Sequence, residues 1–165
     1  MDVGFGDAVT PAPEEIVFPV LLEGPAPRLR AYPRETHVAE KLEALVKLGL
    51  ANSRMKDFYD LTELAARFPF EGQALTDAIR ATFERRGTPV PTSPPVAFTP
   101  AFFDDAGKRA QWAGFVRRGG IEHAPTLAEA VRRVEVFAAQ PLAAAGEVST
   151  FRSRWTAGGP WSDVT

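Results

Sequence analysis

Between residues 32 and 68 the apolar positions recur with a helical period and then break once. On a wheel of about 100° per residue, Val38, Leu42, Leu45 and Val46 form one apolar stripe, with Glu40, Glu43 and Lys47 on the opposite side. Lys41 lies only about 60° from the middle of that stripe, and Glu35 falls on its other edge. In a second helix Leu61, Leu64, Ala65 and Phe68 make the stripe; Asp57 continues it one turn towards the N-terminus and Asp60 flanks it. Asn52 and Ser53 are the expected N-caps. The turn between the helices, around Gly49 and Asn52, is short enough to make them antiparallel neighbours.

The same reading predicts a third helix over residues 73–86, with Leu75, Ala78, Ile79, Thr82 and Phe83 in one stripe. TPVPTSPP, residues 88–95, is too rich in proline for a helix and reads as an extended connector. Thr99 as N-cap and Pro100 at the first helical position open a fourth helix reaching Arg118. Thr126 and Glu129 form a capping box for a fifth, which is expected to end near Gln140, ahead of Pro141. Trp155, Pro160 and Trp161 are expected to fold back over the helices. Upstream, residues 2–5, 16–22 and 28–32 are extended candidates separated by proline- and glycine-containing turns. The expected architecture is mainly α, of the α+β class: a helical bundle with a small N-terminal β portion.

Charge placed on core-facing sides of two consecutive helices needs an explanation, because a buried ammonium or carboxylate must be paired, hydrogen-bonded or neutralised. Two structural explanations are available. An aspartate in the first turn of a helix favours the macrodipole, and a lysine beside an apolar stripe extends its ammonium to water. The alternative is a shared site in which Lys41 lies within salt-bridge reach of Asp57 or Asp60.

Composition narrows the class. With 165 residues, 45% hydrophobic content and 24% charge, the chain is the size of one domain and can bury a core. No apolar run approaches the roughly 20 residues of a membrane span, no membrane partner is expected, and the N-terminus has no signal-peptide pattern. The absence of cysteine removes disulfides and cysteine metal sites and suits a reducing cytoplasm. His37 and His123 are the two histidines, too few for a histidine-based metal site, and both read as surface or helix-end residues. A net charge of -2 argues against indiscriminate nucleic-acid binding. The arginines nevertheless come in doublets, at 85/86, 117/118 and 132/133, which either form a phosphate-binding patch or complement helix C-termini.

Several stretches, taken in order, carry a resemblance. DVGFGDAVTP at residues 2–11, YP at 32–33, AEKLEALV at 39–46, NSRMKDFYDL at 52–61, ATFERRGTPVP at 81–91 and GGPW at 158–161 together resemble the AbiEii family of nucleotidyltransferase-like toxins of type IV toxin–antitoxin systems. The resemblance implies that Lys41, from the EKL helix, and Asp57 or Asp60, from the KDxxDL helix, belong to an active site. It also implies Arg54, Lys56, Arg85 and Arg86 as contacts for nucleotide or RNA, and Asp2 as a third, metal-binding carboxylate, whereas Asp7 reads as a turn residue. The implied cofactor is Mg²⁺. The implied partners are a nucleoside triphosphate, an RNA acceptor such as tRNA, and a cognate antitoxin.

The family's Gly-Ser turn and Asp-x-Asp strand, whose carboxylates hold the metal ions, do not occur in this sequence. Residues 1–31 are therefore expected to be the remnant of a nucleotidyltransferase sheet and residues 32–165 a helical C-terminal domain, the whole being the C-terminal part of a family member. Two-metal nucleotidyl transfer depends on ligands that clamp the attacking and leaving oxygens, so the 165-residue chain is expected to be inactive by itself. The second functional class is a non-catalytic helical module, either a decayed toxin fragment or a surface bound by an antitoxin.

Overall fold

The computed structural model describes residues 14–17 and 28–164, with side chains described from Tyr32 onward. The expected extended segment at residues 2–5, with Asp2, lies outside the described residues, as does residue 18 to 22 of the second. Strands β1 (Glu14–Val17) and β2 (Arg28–Ala31) pair antiparallel, Glu14 opposite Ala31 and Val17 opposite Arg28. Helix α1 (Arg34–Leu48) begins directly after Pro33, whose carbonyl accepts the N–H groups of Thr36 and His37, and stops at Gly49, where φ is +49°. A 3₁₀ turn, Gly49–Ala51, leads to α2 (Met55–Arg67).

Neither expected N-cap serves α2. The Asn52 side chain accepts from the N–H of Arg54 at 2.8 Å, closing a turn two residues long, and the helix starts from Arg54 without a side-chain cap. This local bond competes with capping, the usual behaviour of asparagine ahead of a helix. The buried face of α2 is set by Met55, Phe58, Leu61 and Ala65. Phe68, expected in the stripe, lies past the helix end in extended backbone, exposed, with the Arg34 guanidinium 4.6 Å from its ring centroid.

After β3 (Phe70–Glu71), α3 (Gly72–Arg85) buries Leu75, Ala78, Ile79, Thr82 and Phe83 as its pattern predicts. The fourth helix divides into a short α4 (Pro100–Phe103) and α5 (Ala106–Gly119). The break has a local cause: Asp105 caps a new helix by accepting from the N–H of Lys108 at 2.8 Å.

Helix α6 (Leu127–Glu147) opens with the expected capping box but does not end at Gln140. It continues through the buried Pro141. Proline has no N–H for the carbonyl four residues back, and here that carbonyl, of Phe137, accepts instead from the Trp161 indole N–H at 2.8 Å. The tail thus supplies the donor that Pro141 lacks. Strands β4 (Ser153–Trp155) and β5 (Trp161–Asp163) join β3 in an antiparallel sheet of order β3-β4-β5. Within it Trp155 donates to the carbonyl of Ala65, near the end of α2, at 2.7 Å. The tail does fold back over the helices; that it does so as strands was not anticipated, since three-residue strands are too short to show a period.

The described part is mainly α with a small β portion. Helix α1 is wedged between α2 and α3, and α6 packs across both α2 and α3. One core results, centred on Leu42, Leu45, Phe58, Phe83, Phe102 and Phe137.

Candidate functional site

Because α1 and α2 run side by side, the lysine of one meets the aspartates of the other. Lys41 Nζ lies 2.9 Å from Asp57 Oδ1 and 2.8 Å from Asp60 Oδ2. The expectation of salt-bridge reach holds for both carboxylates at once. Outward, Arg54 Nε approaches Asp57 Oδ2 at 3.4 Å and Lys56 Nζ approaches Asp60 Oδ2 at 2.6 Å. The five charges alternate in sign along one edge, with Lys41 at the centre and most covered of the three cations, its side chain 21% exposed against 60% for Arg54 and 72% for Lys56.

Burial works against the Lys41 charge, yet its hydrogen bonds to Asp60 and Asp57 outweigh that cost and hold its pKa above the ordinary lysine value. Burial likewise opposes the Asp60 charge, and the bonds from Lys41 and Lys56 overcome it, so its pKa lies below the usual carboxylate range. Lys41 is a fixed positive charge across the physiological range.

A second network lies behind the first. Glu43, which the wheel places towards solvent, is buried with its side chain 2% exposed. A single apolar stripe accounts for the cover of α1 on one side, whereas α3 covers a second side. There Arg86 reaches Glu43 at 2.9 Å and the Thr88 hydroxyl donates to it. Glu40 takes Arg86 at 3.2 Å and Arg85 at 3.4 Å. The doublet at 85/86 is therefore engaged in ion pairs inside the chain. Burial opposes the Arg86 charge, and the bond to Glu43 with the nearby Glu40 outweighs it, raising its pKa further.

The two networks meet at a nearly wholly polar cavity of about 140 Å³ lined by His37, Glu40, Lys41, Arg54, Asp57 and Arg86. On the other side of Lys41 a shelf of about 370 Å³ carries His37, Asp60 and Arg67 beside the apolar Leu64 and Phe68. His37 and His123 are exposed, as expected, but His37 borders both spaces. His37, expected as a surface or helix-end residue, lies one turn before Lys41 on the same helix face, which brings it to the site. A separate apolar cavity of about 350 Å³, between the proline-rich connector and α6, has only Glu135 and Glu147 as ionisable lining and no cation.

Among the described residues no three His, Asp or Glu side chains stand where they could share a metal ion. Asp57 and Asp60 each direct an oxygen at Lys41 instead. These residues do not make a Mg²⁺ site, which prefers several oxygens in an octahedral array, and the carboxylate of Asp2 lies outside the described residues.

Residues 1–135 match the family described as Nucleotidyl transferase AbiEii toxin, Type IV TA system. The chain belongs to the AbiEii family. The match covers both helices of the lysine–aspartate site, the Glu43–Arg86 network and α5, and it ends inside α6. The β4–β5 hairpin, with Trp155 and Trp161 of the AbiEii chain, thus lies past the matched region. No curated protein and no solved structure matches the chain. No helix among the described residues is long and apolar enough to cross a membrane.

Proposed function

We propose that this chain carries the lysine–aspartate part of a nucleotidyl transferase centre, which moves a nucleotide from a nucleoside triphosphate to an RNA acceptor such as tRNA and so acts as a toxin held in check by an antitoxin. The observation that carries the reading is the position of Lys41: pinned by two aspartates between a polar cavity and a partly apolar shelf. A triphosphate needs fixed positive charge, and a base with its sugar needs an apolar seat beside it. In this reading the polyphosphate enters the polar cavity, where Lys41, Arg54 and Arg86 face it beside the Glu40 and Asp57 carboxylates that hold them, and the base lies against Leu64 and Phe68. An ammonium acts there as a compact point charge. Its pair of aspartates fixes its position ahead of binding, so little ordering is left for the moment of reaction.

In the same reading Asp57 and Asp60 are positioning residues. Each holds the Lys41 ammonium through one carboxylate oxygen, so the charge is already in place when phosphate arrives. Metal ligation falls to carboxylates other than these two, such as those of a Gly-Ser and Asp-x-Asp core. The test is transfer of labelled nucleotide from each of the four triphosphates to total tRNA. The 165-residue chain is expected to transfer none; the same chain carried behind a Gly-Ser and Asp-x-Asp core is expected to transfer label, and Lys41→Ala in that longer protein to abolish most of it. Robust transfer by the short chain, or an unimpaired Lys41→Ala variant, overturns the proposal.

A further inference from the structure

Helix α5 has an unusual charge balance. Its fourteen residues carry Lys108, Arg109, Arg117 and Arg118 and no acidic residue, in a chain whose net charge is -2. Lys108, Gln111, Phe115 and Arg118 recur at helical spacing on one face. Between that face and the start of α2 runs a groove of about 440 Å³, whose ionisable lining is Arg54, Lys56 and Arg118 and includes no carboxylate. Arg54 lines both this groove and the polar cavity beside Lys41, so the two spaces share a wall.

Each part of the groove is held in place. Lys108 donates to the carbonyl of Asn52 at 2.7 Å, tying α5 to the turn that precedes α2. Phe115 forms part of the floor, its ring 5.8 Å from Tyr59 and 5.7 Å from Trp112. At Gly114 a side chain would come within 3.2 Å of an Arg118 guanidinium nitrogen, so the missing Cβ lets that group lie along the helix. Arg118 makes no ion pair among the described residues. The other doublets differ: Arg85 and Arg86 are engaged by Glu40 and Glu43, and Arg132 and Arg133 stand near the carboxylate of Glu129.

We infer that this groove holds the sugar–phosphate backbone of the acceptor RNA strand and leads its reactive end to Lys41. The inference rests on the nucleotidyl-transfer reading and adds the surface that reading leaves open. A lining of three cations, Arg54 and Lys56 paired from outside the groove by Asp57 and Asp60 and Arg118 without an ion pair, set beside an aromatic ring, fits a single strand, whose phosphates pair with the charges while a base or ribose rests on the ring. Double-helical RNA presents its phosphates on a wide cylinder that a groove of this volume does not admit.

The experiment is fluorescence anisotropy with a short labelled single-stranded RNA, across a salt series, on the chain itself. Arg118→Ala is expected to weaken binding by about three- to tenfold and to reduce the salt slope by about 1, the change for one lost phosphate contact. Arg133→Ala, on a different exposed surface, is expected to change the affinity less than twofold. Circular dichroism of both variants is expected to match that of the parent chain. Equal effects of the two substitutions, no effect of Arg118→Ala, no RNA binding, or equally tight binding of an acidic polypeptide each overturn the inference. Nucleotide transfer by the core-carrying protein tests the underlying reading separately, because loss of transfer in Lys41→Ala with RNA binding intact leaves both standing, whereas RNA binding at Arg118 without any transfer removes only the enzyme.

Discussion

Replacing Lys41 by methionine keeps the length of the side chain and removes its charge, leaving two carboxylates that face each other with no cation between them. Removing one partner of a fully buried ion pair costs about 3–5 kcal/mol. Here the side chains of Lys41, Asp57 and Asp60 retain 21%, 10% and 22% exposure, and Arg54 and Lys56 remain as outer partners. Water and these cations reduce the penalty, and about 2 kcal/mol is expected at pH 7. For a chain of this length that corresponds to a fall in Tm of about 4–8 °C, measurable by circular dichroism. The pH dependence identifies the cause. Asp60 has a lowered pKa in the folded chain, so its contribution is present above the unfolded value of about 3.9 and is lost as pH falls through the folded value. Lys41 has a raised pKa, so its contribution is present below about 10.4 and is lost as pH rises through its folded value. The gap between parent and variant should therefore be widest near neutrality and narrow as pH falls through the folded Asp60 value. A gap below 1 °C at pH 7, or one that does not narrow as the chain is acidified, refutes the electrostatic account of the triad.

Two other perturbations test the frame that holds the site. Trp161→Phe leaves the Phe137 carbonyl without the donor that Pro141 cannot supply, and should cost about 1–2 kcal/mol beyond lost packing. In a Pro141→Ala background the helix provides its own N–H, and a thermal or urea double-mutant cycle should show that excess largely gone. Glu43→Gln preserves shape but removes the buried charge that Arg86 reaches, leaving the half-exposed guanidinium to Glu40 alone; a loss of about 1 kcal/mol in urea unfolding is expected. Equal stability there would mean that Thr88 and the amide satisfy the position without charge.

The site's central geometry was legible because it depends on local facts: two helices of readable period, a short connection and three charges on converging faces. Lys41, Asp57 and Asp60 could be paired from those facts without knowledge of any other element. Glu43 could not, since its burial depends on α3 lying along a second side of α1, and a hydrophobic wheel weighs one helix at a time. The engagement of Arg85 and Arg86 follows from the same unseen packing. Helix limits failed where a side chain overrode the pattern: Asp105 starts a helix inside an expected longer one, and Trp161 lets α6 pass through Pro141 from twenty residues away. The groove along α5 was visible in part, as an arginine doublet, but its lack of carboxylates appears only when α2 is set against α5.

Equilibrium binding of a nucleoside triphosphate, compared with that of the same nucleoside without phosphates, tests most directly whether Lys41 receives the polyphosphate. The measurement uses the core-carrying protein, parent and Lys41→Met, at a temperature where circular dichroism shows both fully folded. A charge-assisted contact is worth about 1.5–3 kcal/mol, so the triphosphate should bind about 10- to 100-fold more weakly to the variant while the nucleoside binds both proteins alike. Equal triphosphate affinity for the two proteins contradicts the account, and leaves the lysine–aspartate cluster a brace between α1 and α2.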